Sequence, residues 1–351
     1  MAEKLRVGIS IGDINGIGME VIVKTFLDNR MMEICTPIVY GSTKVASFHR
    51  KALGIEDFSF NVIKKAEDFN PKRANLIDLW DEDIEVKLGE STKVGGEYAF
   101  KSLKAAVEDL ASGKTDVLIT APINKKNIQS DDFKFAGHTE FLADYANEEN
   151  PLMILCDEGL RVGLVTGHLP LKDVSAAISK EGIIAKLEVF DKTLRQDFGI
   201  EKPKIAVLGL NPHSGDGGLL GIEEQEVISP GIKEAFNKGI LAMGPYPADG
   251  LFGSSTYQKF DGILAMYHDQ GLAPFKAMAF HNGVKYTAGL PIVRTSPDYG
   301  VGYDIAGQNK ASEQSFRQAV YLACDIYKTR RKNKQLLANS LDNPKAAPEE
   351  V

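Results

Sequence analysis

Short apolar runs alternate with amphipathic segments along almost the whole of this chain. The runs are flanked by Gly or Pro and predict buried strands at 5–11, 36–40, 117–120, 152–155, 162–166, 205–210 and 262–266. Apolar residues at helical spacing predict helices at 19–27, 96–113, 140–146, 183–198 and 312–328. The repeated order of strand and then helix favours an α/β fold, in which a mostly parallel sheet carries helices on both faces.

The length of 351 residues exceeds what one hydrophobic core usually serves and therefore favours two domains. We expect two α/β/α domains, the first formed by residues 1–126 together with 292–337 and the second by residues 127–291. In this arrangement the last helix returns to the first domain. The tail 338–351 is polar and is predicted to be disordered.

Composition limits the classes of partner. The net charge is −7, from 48 acidic and 41 basic residues, and no clustered basic surface of the kind that binds nucleic acid is evident. No apolar run approaches the roughly 20 residues of a spanning helix, and the first residues lack a signal-peptide pattern. Three widely spaced cysteines, Cys35, Cys156 and Cys324, indicate a reducing compartment. We expect a cytoplasmic protein with no nucleic-acid or membrane partner.

Three of the six histidines, His168, His213 and His268, lie just past the end of an apolar run. Ligands bind beyond the carboxyl ends of the strands in open α/β sheets, so three imidazoles at that edge fit a catalytic divalent-metal site with one open position. Nitrogen ligands suit zinc and other late first-row ions. Asp216 and Asp269 are candidate hydrogen-bond partners for these imidazoles. The alternative is that each histidine is a hydrogen-bonded structural residue.

Candidate anion-binding residues lie in two other places. His138 and Thr139 precede a predicted helix, where free N–H groups and the helix dipole attract anions; alternatively, Thr139 only caps the helix. Arg294 follows another apolar run, and a guanidinium there suits bidentate binding of phosphate or carboxylate. Lys276 lies downstream of the third histidine and is supported only weakly by spacing.

Neither standard nucleotide-binding motif is present. The glycine-rich turn 12–18 lacks the third glycine of a dinucleotide fingerprint, because position 21 is Val21. The segment that ends in Gly113-Lys-Thr lacks the first glycine of a P-loop, because position 108 is Glu108. Backbone geometry at a tight turn accounts for the glycines of segment 12–18. The sequence therefore identifies no cofactor-binding residues.

Taken together, eight segments of this chain resemble the 4-hydroxythreonine-4-phosphate dehydrogenase family of pyridoxal 5′-phosphate biosynthesis. They occur in the family's order and cover nearly the whole chain: 12–18 (GDINGIG), 120–125 (TAPINK), 137–142 (GHTEFL), 167–171 (GHLPL), 211–218 (NPHSGDGG), 244–249 (GPYPAD), 267–272 (YHDQGL) and 289–296 (GLPIVRTS).

The resemblance implies a fold like that of the isocitrate and isopropylmalate dehydrogenases, which bind NAD without the usual fingerprint. It also implies a homodimer with its active site at the subunit interface, where the second domain carries the metal, substrate and dimer contacts. The implied metal ligands are His168, His213 and His268, with Asp249 and Asp269 around the metal. The implied substrate contacts are His138, Thr139, Lys276 and Arg294.

The implied reaction is the NAD- or NADP-dependent oxidation of 4-phosphohydroxy-L-threonine to 2-amino-3-oxo-4-phosphooxybutanoate, with one divalent metal (Zn, Mg or Co) in each site. The product then decarboxylates to 3-amino-1-hydroxyacetone 1-phosphate. A family substrate contact that is often Asn falls on Lys285, which affects the expected substrate preference. The first alternative is a dehydrogenase of D-threonate or D-erythronate 4-phosphate. The second is a metal-dependent hydrolase, because an open three-histidine site also activates water.

Overall fold

The computed structural model describes residues 4–338, and the predicted tail from residue 339 onwards lies outside the described residues. Within them, twelve strands form one sheet: Leu5–Ser10 (β1), Cys35–Gly41 (β2), Asn61–Ile63 (β3), Asn75–Asp78 (β4), Val117–Thr120 (β5), Leu152–Asp157 (β6), Leu160–Leu164 (β7), Lys204–Leu208 (β8), Leu241–Tyr246 (β9), Gly262–Ala265 (β10), Val284–Ala288 (β11) and Arg294–Pro297 (β12).

The α-helices of the described residues lie between these strands and after the last of them: Gly18–Leu27 (α1), Met31–Ile34 (α2), Thr43–Ala52 (α3), Lys93–Ala111 (α4), His138–Tyr145 (α5), Leu171–Ala177 (α6), Lys180–Gln196 (α7), Ser229–Asn237 (α8), Ala248–Phe252 (α9), His268–Met278 (α10) and Gln314–Ala338 (α11). None of the helices within residues 4–338 combines the length and the apolar character needed to cross a membrane.

The strand order is β3-β4-β2-β1-β5-β12-β11-β6-β7-β10-β8-β9. Both wings of the sheet are parallel, and the antiparallel pairs are confined to the centre, where β11 joins β12 and β6, and β6 joins β7. The prediction of a mostly parallel α/β fold is confirmed. The predicted domain boundaries fall in the loops that follow β5 and β11, and the division into two domains stays a prediction.

Five strands were not predicted from the apolar runs: β3, β4, β9, β11 and β12. β3 (NVI) and β4 (NLID) are short and begin with Asn, so neither contains an apolar run of four residues. β9 contains Gly244 and Pro245, and β12 contains a buried Arg and a buried Pro. Gly and Pro are disfavoured inside strands, and a charged residue interrupts the apolar pattern of a buried strand. Their pairing partners, and not their own composition, hold them in the sheet.

The glycine-rich turn after β1 is explained by close packing. Gly12 has a φ of +67°, and a Cβ at this position would lie 2.2 Å from the carbonyl oxygen of Pro122. The neighbouring Asp13 N–H donates to the same oxygen at 3.0 Å. The turn therefore packs against the loop that follows β5, which agrees with the interpretation of its glycines as backbone requirements.

Helix α11 is tied to the rest of the fold by Arg330. Its Nε lies 2.5 Å from the carboxylate of Asp197 at the end of α7, and its Nη2 donates to the hydroxyl of Tyr286 on β11 at 2.8 Å. Its Nη1 also donates to the carbonyl oxygens of Leu290 and Pro291 in the loop between β11 and β12. Asp197 and Tyr286 are buried, so a single side chain satisfies several buried polar groups.

We expect Arg330→Met to lower the free energy of unfolding by about 3 kcal/mol, because it leaves a buried carboxylate without its counter-ion. Urea unfolding measures the change. The control, Arg317→Met, removes a half-buried (i, i+4) partner of Glu313 on the same helix and is expected to cost less than about 1 kcal/mol. Equal losses in the two variants would show that Arg330 makes no special contribution.

Candidate active site

A cavity of about 200 Å³ opens at the edge of the sheet where β5, β7 and β10 end. Seven of the ten predicted site residues line it: His138, Thr139, His168, His268, Lys276, Lys285 and Arg294. They come from five parts of the chain: His138 and Thr139 lie on α5, His168 follows β7, His268 and Lys276 lie on α10, Lys285 lies on β11 and Arg294 on β12. The carboxyl ends of parallel strands and the helices that follow them meet at one edge of the sheet.

Arg294, the first residue of β12, is the most buried cation of the cavity, with 4% of its surface exposed. Its Nε donates to Thr120 Oγ1 and its Nη1 to Thr287 Oγ1, both at 3.0 Å. Burial lowers the pKa of Arg294 to about 9, which leaves the guanidinium charged at neutral pH. Its hydrogen-bond partners among the described residues are neutral hydroxyls, so it is available to pair with an anion in the cavity.

Two lysines extend this positive surface. The Nζ of Lys285 lies 3.1 Å from Oδ1 of Asp298, and the Nζ of Lys276 lies 3.7 Å from the same oxygen. Burial lowers the pKa of Lys285; the carboxylate of Asp298 opposes this shift, and the charges of Lys276 and Arg294 add to it. The carboxylate of Asp298 therefore faces two lysines, whereas the acidic residue whose charge acts on Arg294 is Glu140, which lines the cavity.

Helix α5 points its first turn at the same cavity. Its N-cap is Gly137, and no side chain caps the helix, so the alternative that Thr139 is the cap is wrong. Nε2 of His138 is buried without a hydrogen-bond partner, and burial, followed by the charges of Arg294 and Lys285, lowers the pKa of His138 well below its ordinary value. A neutral imidazole and free helix N–H groups are thus directed at the positive end of the cavity.

The other end of the cavity carries two imidazoles. The rings of His168, after β7, and His268, at the start of α10, have centroids 5.6 Å apart. Nδ1 of His268 lies 2.6 Å from Asp269, which leaves its Nε2 free to bind a metal, as expected for a ligand oriented by a carboxylate. Nε2 of His168 accepts a hydrogen bond from Nζ of Lys125 at 2.8 Å.

His213 and Asp249 do not join this group. His213 lies in the exposed turn Pro212–Gly218, in left-handed backbone with a φ of +53°, and neither residue lines the cavity. Within residues 4–338, no three His, Cys, Asp or Glu side chains are placed so that they could hold a metal ion. One chain therefore supplies two of the three predicted imidazoles, a donor pair that suits a divalent metal but an incomplete set.

Several residues that line the cavity or lie next to it were not identified from the sequence. Lys125 and Glu140 lie within segments that carry the family resemblance, but isolated charged residues gave no reason to single them out. Thr120 and Thr287 supply the hydroxyls that hold Arg294, and their role depends on the pairing of β5, β12 and β11, which a sequence pattern does not show. Asp298 lies just beyond the last of these segments.

The comparisons with known proteins agree with this geometry. The family described as "Pyridoxal phosphate biosynthetic protein PdxA" matches residues 33–323. A 4-hydroxythreonine-4-phosphate dehydrogenase of Bacteroides thetaiotaomicron is 52% identical over 96% of this chain and 93% of its own length. A putative D-threonate 4-phosphate dehydrogenase of Oceanobacillus iheyensis is 38% identical over 94% of this chain and 100% of its own length.

Solved structures give the same result. The crystal structure of 4-hydroxythreonine-4-phosphate dehydrogenase from Klebsiella pneumoniae superposes with a TM-score of 0.79 at 31% identity, over 93% of this chain and all of that one. These relatives confirm the resemblance and the dehydrogenase class predicted from the sequence. The chain therefore belongs to the PdxA family of pyridoxal phosphate biosynthetic proteins.

Proposed function

We propose that this protein oxidises 4-phosphohydroxy-L-threonine to 2-amino-3-oxo-4-phosphooxybutanoate with NAD or NADP, in pyridoxal 5′-phosphate biosynthesis. The observation that carries the proposal is the cavity itself. One end has a buried guanidinium whose hydrogen-bond partners within residues 4–338 are hydroxyls, and the other end has two imidazoles. This arrangement suits a substrate with a phosphate at one end and a hydroxyl to be oxidised beside it. The names of the relatives supply the substrate class.

The chain's own residues bind and orient the substrate. Arg294 donates to the phosphate, Lys276 and Lys285 add charge, and the first N–H groups of α5 complete the donors. His138 is neutral at pH 7 because its pKa is lowered, so it binds the substrate through a hydrogen bond without adding charge. Holding the phosphate fixes the neighbouring hydroxyl near His168 and His268.

A divalent metal would be held by His168 and His268, together with His213 from a second copy of the chain. When bound, the metal lowers the pKa of the substrate hydroxyl, and the nicotinamide cofactor accepts the hydride. The oxidised product is a β-keto acid, so it loses carbon dioxide to give 3-amino-1-hydroxyacetone 1-phosphate. Asp269 orients His268. Asp249 is proposed to lie near the metal and to come, like His213, from the second copy of the chain.

A homodimer is proposed because one chain leaves the imidazole set incomplete. Large apolar side chains are exposed next to the two histidine loops: Leu169 and Leu171 beside His168, and Leu219 and Ile222 after His213. Leu171 is 73% exposed and Leu219 is 79% exposed, so both are available for burial at a subunit contact. A cytoplasmic location is proposed because the three cysteines are buried and unpaired.

The D-threonate 4-phosphate reaction is the second candidate. It is favoured by Lys285, which stands where the family often has Asn, and by relatives that carry this name at 37–38% identity. D-Erythronate 4-phosphate belongs to the same class of substrate. These compounds carry a hydroxyl where 4-phosphohydroxy-L-threonine carries an amino group.

The test follows NADH or NADPH formation by absorbance with each of the three phosphates. We expect the highest kcat/KM with 4-phosphohydroxy-L-threonine, loss of activity after chelation, and recovery with zinc, magnesium or cobalt. A higher kcat/KM with a threonate or erythronate phosphate would reassign the substrate. Phosphate release or substrate cleavage without any nicotinamide cofactor would instead support the metal-dependent hydrolase.

A further inference from the structure

Asp298 is a buried carboxylate behind the positive end of the cavity. It follows β12 directly, only 7% of its side chain is exposed, and it is not among the residues that line the cavity. Lys276 and Lys285 both line the cavity, and their ammonium groups approach the same carboxylate oxygen, Oδ1. Lys276 also donates to the backbone carbonyl oxygen of Asp298 at 3.3 Å. Asp298 therefore contacts the two lysines without being placed to contact a ligand.

The backbone of Asp298 is fixed from two directions. Its N–H lies 3.1 Å from Oγ of Ser315, next to the start of α11, and 3.2 Å from the carbonyl oxygen of Gly283, next to the start of β11. Ser315 is itself buried and donates to Gly283 at 2.6 Å. The backbone that carries the carboxylate is therefore held in place, and two long, flexible lysine side chains contact that carboxylate.

The carboxylate of Asp298 opposes the electrostatic repulsion between the cationic side chains at this end of the cavity. The charges of Asp298, Lys276 and Arg294 affect the pKa of Lys285. The charge of Lys285 in turn lowers the pKa of His138. Without Asp298, Lys285 would experience the repulsion of Lys276 and Arg294 with no carboxylate beside it, because Glu140, the acidic residue that lines the cavity, acts on Arg294. The contact of Lys285 to Asp298 is an ion pair without ideal hydrogen-bond geometry, and Lys276 uses one of its three N–H donors for the backbone carbonyl of Asp298. Both ammonium groups therefore keep donors for a ligand.

We propose that Asp298 is a positioning residue that holds Lys276 and Lys285 as a pair against the substrate phosphate. This inference rests on the proposed function, because that function assigns the two lysines to a phosphate. Asp298 keeps the ammonium groups directed into the cavity before the substrate arrives, so less side-chain freedom is lost on binding. It also keeps Lys285 protonated in a buried position, where its cationic neighbours favour loss of the proton.

The test uses inorganic phosphate, whose binding calorimetry measures without any turnover. We expect Asp298→Asn to raise the dissociation constant at pH 7 about tenfold. The amide does not stabilise the protonated form of Lys285. As the pH is raised, we therefore expect the variant to lose its affinity for phosphate at a lower pH than the parent does. The matched control, Asp325→Asn, removes an exposed carboxylate 3.6 Å from Lys328 and should change neither quantity.

A double-mutant cycle separates positioning from general structure. In a Lys276→Met/Lys285→Met background, Asp298→Asn should have little further effect on phosphate binding, because the residues through which it acts are gone. The same tenfold loss in that background, or an unchanged or tighter affinity in the single variant, would overturn the inference. If Asp298→Asn does not fold, Asp298→Glu replaces it: affinity should fall while the pH profile stays parental, and unchanged affinity would contradict the proposal.

Different results would contradict the proposed function and the positioning role of Asp298. If no candidate substrate yields NADH but phosphate binding still depends on Asp298 through the lysines, the reaction is misassigned and the positioning role stands. If turnover is as proposed but Asp298→Asn leaves the KM and the phosphate affinity unchanged, the positioning role is wrong and the reaction stands.

Discussion

Mixing two inactive variants, His168→Ala and His213→Ala, is expected to restore activity that neither variant has alone. Each variant removes one imidazole from every site and should abolish turnover. If each site takes His168 and His268 from one chain and His213 from the other, a mixed dimer contains one site with all three histidines. Random reassociation of equal amounts should then restore about a quarter of the parental sites, because half of the dimers are mixed and each has one intact site.

The measurement is metal-dependent NADH formation after the variants have been dissociated together and reassociated. The matched control is a mixture of His168→Ala with His268→Ala. Both histidines line the same cavity of one chain, so no combination of these subunits rebuilds a complete site. Recovery with the first pair and none with the control supports a shared site. If neither mixture recovers while parental protein treated in the same way does, the three histidines do not form a shared site.

Two of the three predicted metal ligands lie close together because of the geometry of parallel sheets. His168 and His268 were predicted from the ends of two strand runs, and β7 and β10 are adjacent in the sheet, so their ends are neighbours. β8, which precedes His213, is the next strand along. The turn after it takes His213 away from the cavity of its own chain, and strand-end reasoning does not show the path of a loop.

The residues that sequence reasoning missed act through pairing that only the fold defines. Asp298 belongs to no recognisable motif. It contacts Lys285 because β11 pairs with β12 in a register that places Lys285 opposite Ser296, two residues before Asp298. Both strands were also missed, since their polar residues face the cavity and interrupt the apolar pattern by which buried strands are recognised. In β11 and β12, therefore, the departures from the strand rules coincide with the candidate site.

Replacing Arg294 by Met is expected to reduce kcat/KM about a thousandfold, corresponding to roughly 4 kcal/mol of transition-state stabilisation. The guanidinium is buried, and in the proposed complex it supplies bidentate donors to the phosphate. Hydrogen-bonded charge pairs of this kind cost several kcal/mol when one partner is truncated. Arg294→Lys should recover little, because a lysine keeps the charge but not the planar fork. Steady-state kinetics measure both variants, with Arg317→Met on α11 as a control outside the cavity.

The same substitution should stabilise the unliganded protein. Burial lowers the pKa of Arg294 to about 9, so its guanidinium stays charged at neutral pH but is less stable in the folded protein than in the unfolded chain. Its hydrogen-bond partners among the described residues are hydroxyls. Removing the charge removes this cost, and we expect the thermal midpoint of Arg294→Met to lie above that of the parent. Inorganic phosphate should raise the midpoint of the parent and not that of the variant, because only the parent binds it well. A lower midpoint in the variant, with phosphate stabilisation retained, would mean that Arg294 supports the fold and does not bind the phosphate.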